Sequence, residues 1–92
     1  MLLWPNKDPD EVLDYVVDWT ERLAGDTISS SNFSIVSGGA ALVIDSEGNT
    51  TEETTVWLSG GTLDASYEVL NRVTTAGGRT MDQTVKLKIK RK

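Results

Sequence analysis

The amino-acid sequence predicts an all-β sandwich of about seven strands, and three observations carry that prediction. Thr84-Val85-Lys86-Leu87-Lys88-Ile89-Lys90 alternates apolar and basic residues without a break, the period of a strand covered on one face only. Thr, Ser and Val dominate the middle of the chain, and these residues suit a pleated, half-buried surface. Glycine doublets at Gly38-Gly39, Gly60-Gly61 and Gly77-Gly78 cut the chain into short segments. Each doublet is a place where the backbone can turn with positive φ.

The first element is an apolar arm. Met1-Leu2-Leu3-Trp4 ends at Pro5, whose ring holds Trp4 extended. Residues 1–6 therefore read as an extended docking arm, tucked along a sheet edge or seated in a neighbour. The segment after it carries two conflicting signals. Asp8-Pro9-Asp10-Glu11 is a good helix start, with Asp8 as N-cap, Pro9 in the first position and Glu11 closing a capping box. Gly25 would end that helix, and Val12, Tyr15, Val16, Trp19 and Leu23 would share its buried face. Against it, Leu13, Tyr15, Val17 and Trp19 alternate with polar or smaller residues and are rich in β-branched and aromatic types. One more strand completes a sandwich, whereas a lone long helix needs its own place on a sheet. The reading adopted is a strand over 12–19 and a short helical turn over 20–24.

Residues 27–35 read as a weaker strand anchored by Ile28, Phe33 and Ile35. Ala41-Leu42-Val43-Ile44 follows, closed by a turn at Asp45-Ser46-Glu47-Gly48-Asn49. Thr54 to Ser59 is a strand entering the Gly60-Gly61 turn, with Trp57 assigned to the core. Tyr67, Val69, Asn71 and Val73 alternate in the next strand, and Val85, Leu87 and Ile89 line the last. Thr75-Ala76-Gly77-Gly78-Arg79 turns one strand back on the other. A symmetric two-residue loop there would set Val69 against Lys86, an apolar residue facing a charge. A three- or five-residue connection, or a glycine bulge, sets Val69 against Val85 or Leu87 instead, and is the expectation.

Composition narrows the function. The 92 residues suffice for a single domain, 1–92, with one core. There is no Cys and no His, so disulfides, thiol nucleophiles, Cys/His zinc sites and imidazole acid–base chemistry are excluded. Fourteen acids against nine bases give a formal charge of −5, which repels a phosphate backbone; no nucleic-acid partner is expected. No apolar run approaches a membrane span, and the start lacks the basic and apolar segments of a secretory signal. The sequons Asn32-Phe33-Ser34 and Asn49-Thr50-Thr51 read as chance products of a Ser/Thr-rich chain.

Candidate chemistry is sparse. Without His, any Ser or Thr would need Lys, Asp or Glu to activate it, and neither G-x-S-x-G nor S-x-x-K occurs. No enzyme activity, cofactor or small-molecule substrate is expected. Asp8, Asp10, Asp14 and Asp18 invite a calcium reading, but on a strand Asp14 and Asp18 stand about 13 Å apart, too far for one ion. Solvated carboxylates are the preferred reading there, and ordinary turn chemistry in Asp45 to Asn49. Large aromatics in so small a domain belong in the core, which assigns Trp19 and Trp57 inward; Trp4 sits on the arm. Lys86, Lys88, Lys90, Arg91 and Lys92 hold five of the nine positive charges. They either protect an edge strand or meet an acidic neighbour, such as another copy of the chain.

Four separated blocks give the chain a family likeness. Lys7 to Tyr15 with Asp18-Trp19 and Leu23 to Ile28, Val56-Trp57-Leu58-Ser59-Gly60-Gly61, Tyr67 with Asn71 to Thr75, and Gly77-Gly78-Arg79-Thr80 resemble a group of small bacteriophage virion proteins. These look like small immunoglobulin-like sandwiches and serve as fibre–tail adaptor or neck and tail components. The likeness departs at Gly38 to Leu42, where a Pro-containing turn is expected. The resemblance implies a non-enzymatic structural protein of a phage or prophage particle, assembled in the bacterial cytoplasm, with other virion proteins as partners. It implies that Trp19 and Trp57 are core anchors and that Tyr67 pins a corner; Tyr15, Val85, Leu87 and Ile89 join the expected core through their alternation. Leu2, Leu3, Trp4, Arg72, Gly77, Gly78 and Arg79 are the candidate interface. The alternative is a stand-alone module for carbohydrate or a host-surface ligand, which an exposed pair of tryptophans would favour.

Overall fold

The computed structural model describes residues 2–39 and 41–92. Met1 of the expected arm and Ala40 of the expected turn lie outside the described residues. The elements are β1 (Leu2–Leu3), β2 (Leu13–Asp18), α1 (Thr20–Leu23), β3 (Ile28–Ser37), β4 (Leu42–Asn49), β5 (Glu53–Gly60), β6 (Ser66–Thr75) and β7 (Thr80–Lys88). They form an all-β sandwich of two sheets, ordered β1-β7-β6-β3 and β2-β5-β4.

The alternating segments become the strands that build the core. Tyr15, Val17 and Trp19 face inward from β2 and its end, Val56 and Leu58 from β5, Tyr67, Val69 and Val73 from β6, and Val85, Leu87 and Ile89 from β7 and its end. Val69 lies opposite Val85 and Tyr67 opposite Leu87. The β6–β7 ladder closes at Thr74 and Thr80, which leaves a five-residue connection. Within it Thr75 N–H donates to the Arg79 carbonyl and Gly78 N–H to that of Thr75. Gly78 has φ +88°, a left-handed conformation that costs glycine little, and the loop has the form of a glycine-bulge hairpin.

The helix-start motif is real but stops after one turn. Asp8 N–H donates to Glu11 Oε1, Asp10 N–H to Asp8 Oδ1, and Glu11 N–H to the Asp8 carbonyl. The chain then extends into β2, because pairing Leu13 to Asp18 with Leu58 to Glu53 buries Tyr15 and Val17, which a local turn cannot do.

Two expectations are corrected. The turn placed at Asp45 to Asn49 is strand: β4 continues to Asn49, with one irregularity between Ile44 and Ser46 that inserts Asp45 as an extra residue. An edge strand with β5 as its one ladder partner tolerates polar residues along its length. The reversal comes later, where Thr50 N–H donates to the Glu53 carbonyl and Thr50 Oγ1 accepts from the N–H groups of Glu52 and Glu53. The second correction is Trp57, which is 43% exposed. Tyr15 lies directly opposite Val56, so an inward Tyr15 places Val56 inward and the next residue outward.

Candidate protein–protein interface

The N-terminal arm is spent within the chain. Leu2 and Leu3 pair in parallel with Val85 and Lys86 of β7. The run continues as Trp4 N–H donates to the Lys86 carbonyl, Lys7 N–H to that of Lys88, and Lys90 N–H to that of Lys7. The Trp4 ring stacks on Tyr15 with centroids 4.8 Å apart, and its Nε1 donates to the Val16 carbonyl on the outer edge of β2. Tyr15 Oη donates to the Pro5 carbonyl, and burial pushes this phenol up to about 12. Residues 2–7 thus join β7 of one sheet to β2 of the other. Trp4, a candidate interface residue, is 7% exposed and belongs to the core, because its ring covers Tyr15. Leu2 and Leu3 remain exposed.

Lys7, which the sequence reading passed over, is completely buried. Its ammonium donates to the carbonyls of Asp8 and Gly60 at 2.9 and 2.6 Å. Burial lowers its pKa, against the opposing pull of Glu11, Asp8, Asp10 and Asp45. No periodicity marks such a lysine; the β1–β7 pairing draws it inward.

The hairpin tip is held from beneath by Asp26. This carboxylate accepts from Gly77 N–H at 3.0 Å and Thr27 N–H at 2.8 Å, and from the Arg79 guanidinium. The Thr75 hydroxyl foremost, with these donors, holds its pKa down to about 2. Arg79 also donates to the Leu23 carbonyl at 2.6 Å. Arg72 forms a two-pronged pair with Asp82 at 2.8 and 3.0 Å. Both candidate arginines are thus engaged inside the chain, while Gly77 and Gly78 stay exposed at the tip. Beside α1 a cleft of about 140 Å³ is lined by Thr20, Leu23, Gly25, Asp26, Thr27 and Glu52. Its carboxylates are bonded to neighbours, Asp26 as above and Glu52 to the Thr20 hydroxyl. Among the described residues no group of three carboxylates is placed to hold a metal ion.

One apolar feature of the surface is one the sequence reading missed. Trp57 stands on the outer face of β5, the central strand of its sheet, with Asp14 opposite on β2 and Ser46 opposite on β4. Val12 and Val16 on one side and Val43 on the other are exposed around it. The charge of this sheet has one sign: β2, β4 and β5 carry Asp14, Asp18, Asp45, Glu47 and Glu53 and no Lys or Arg. A signal was present in the sequence, since no base occurs between Arg22 and Arg72.

A search of curated proteins finds no significant match. One family model does match, over residues 7–88, nearly the full chain and every strand except β1. Its description is podophage GP4 fiber-tail adaptor protein gp77, and the chain belongs to that family of phage structural proteins.

Proposed function

We propose that this protein is a non-enzymatic adaptor of a phage or prophage particle, joining tail or neck to fibre or adjoining subunits. The match to the fiber-tail adaptor family over residues 7–88 carries this reading. The partners would be other virion proteins, including further copies of the chain, and neither nucleic acid, membrane nor small molecule. The protein would be assembled into the virion in the bacterial cytoplasm.

The sandwich is read as immunoglobulin-like. Supporting this are the sheet order β1-β7-β6-β3 against β2-β5-β4 and the buried Tyr67, whose Oη accepts from Thr62 N–H at 3.0 Å across a corner. Its work is geometric: a stiff frame presents Leu2, Leu3 and the Gly77-Gly78 tip, flanked by Arg72 and Arg79, together with the Trp57 face. Many such contacts act together in a symmetric assembly. The carbohydrate alternative has one exposed indole rather than a pair, because Trp4 and Trp19 are buried.

Electron microscopy of the intact particle tests the reading. The expected result is density for this chain at the tail–fibre junction, with the Trp57 face or the hairpin tip covered by a neighbour. A particle that lacks the chain would overturn the assignment.

A further inference from the structure

The N-terminal arm changes register partway along, and a buried charge sits where it does so. Leu3 lies opposite Lys86, whereas Lys7 bridges Ile89, so four steps of the arm span three of the facing strand. The arm therefore carries one extra residue in the Pro5-Asn6 stretch. Burial follows the same path: Trp4 and Lys7 are three apart and both buried, and Pro5 and Asn6 between them are both exposed. Strict alternation would put residues three apart on opposite faces. A regular competitor exists. Continued without the extra residue, the pairing would set Asn6 opposite Ile89, facing inward, and turn Lys7 out to water. Hydration favours that competitor, since a carboxamide costs less to bury than an ammonium. The chain nevertheless takes the ammonium inside, where the carbonyls of Asp8 and Gly60 accept from it, the latter at the end of β5 on the opposite sheet. Desolvation lowers the Lys7 pKa despite Glu11, Asp8, Asp10 and Asp45 nearby, which records the cost of that choice.

We infer that Lys7 is a register pin: its ammonium, seated on the Gly60 carbonyl, selects the bulged path of the arm over the regular one. Buried ionic groups are weak sources of stability, and their best-attested use is to exclude an alternative pairing. The choice decides more than one side chain. In the bulged register Lys90 N–H reaches the Lys7 carbonyl, Asp8 Oδ2 accepts from Lys92 N–H at 2.8 Å, and Glu11 pairs with the Lys92 ammonium at 2.9 Å. A slip of one residue would carry the 8–11 turn along the last residues and part these groups. The pin thus fixes the two ends of the chain against each other, and it acts within one chain whatever the neighbours in a particle.

Nuclear magnetic resonance of the full chain in two variants tests this, reading the through-space contacts between the arm and Lys88, Ile89 and Lys90. Lys7→Asn removes the ammonium and makes positions 6 and 7 alike. The single set of arm signals should then split into two, one for each register, or move to the regular one. The exchange Asn6→Lys/Lys7→Asn shifts the ammonium back by one residue, and the pairing should follow it. Position 6 should come to lie opposite Ile89, with one set of signals and no extra residue in the arm. Trp4, ahead of Pro5, should keep its contacts with Tyr15 in both variants. An exchanged variant with position 7 still opposite Ile89 overturns the inference, as does a Lys7→Asn chain with one set of arm signals in the native register. Loss of the melting transition in both variants would make Lys7 a stabilising contact rather than a selector, and overturns it equally.

Discussion

Asn71 is the residue on which both sheets converge. Its Oδ1 accepts from Trp19 Nε1 at 2.9 Å and from the Thr54 hydroxyl at 2.6 Å, and its Nδ2 donates to Ser31 Oγ and the Asn32 carbonyl. Trp19 and Thr54 lie on the β2-β5-β4 side, and Ser31 and Asn32 on β3 of the other sheet. Truncation to Ala would leave the indole N–H and the amide's other partners unsatisfied inside the core. Asn71→Ala should cost about 2–4 kcal/mol in denaturant unfolding. The tryptophans separate in the same assay: Trp19→Ala should cost about 3–5 kcal/mol, and Trp57→Ala less than about 1 kcal/mol. Side-chain size made Trp57 look like core in the sequence, because Val56-Trp57-Leu58 is apolar throughout and shows no period. Pairing with β2 decides the face, and pairing is not written in a single segment. Asn71, by contrast, stood in register with Tyr67, Val69 and Val73, so its inward direction could be read directly.

At the scale of elements, the N-terminal arm is the clearest case of a segment whose role lies in its partners. Trp4 covers the seam between β7 and β2, and replacing it with Ala should lower stability by about 3 kcal/mol. Replacing the exposed Leu2 and Leu3 by Ser should leave melting nearly unchanged, and a large loss there would contradict the exposure of these two side chains. The hairpin tip makes a prediction in pH. Asp26 has a folded pKa near 2, below its unfolded value of 3.8, so the ionised carboxylate favours the folded state. That stabilisation is present above pH 4 and lost as pH falls toward 2. Asp26→Asn should melt lower at neutral pH and show a shallower loss on acidification, measured by thermal unfolding at each pH. The odd-length β6–β7 connection was legible because two clean alternations had to agree in register. The extent of β4 was not, since Asp45 to Asn49 has turn composition and an edge strand needs little apolar content.

Across the whole molecule, charge is segregated more sharply than the net value of −5 conveys. One sheet carries acids alone, and the positive charge gathers on and after β7. The clustering of bases at the end of the chain was visible in the sequence, but not which surface the acids would share, because β2, β4 and β5 are joined only in the fold. The seam closed by residues 2–7 has a mechanical consequence. β1 and β7 run parallel, one at the start of the chain and the other close to its end. Tension applied to the two termini therefore slides these strands past one another, and the bonds at Trp4, Lys7 and Lys90 share the load at once rather than opening singly. A domain tied in this way resists stretching along its length.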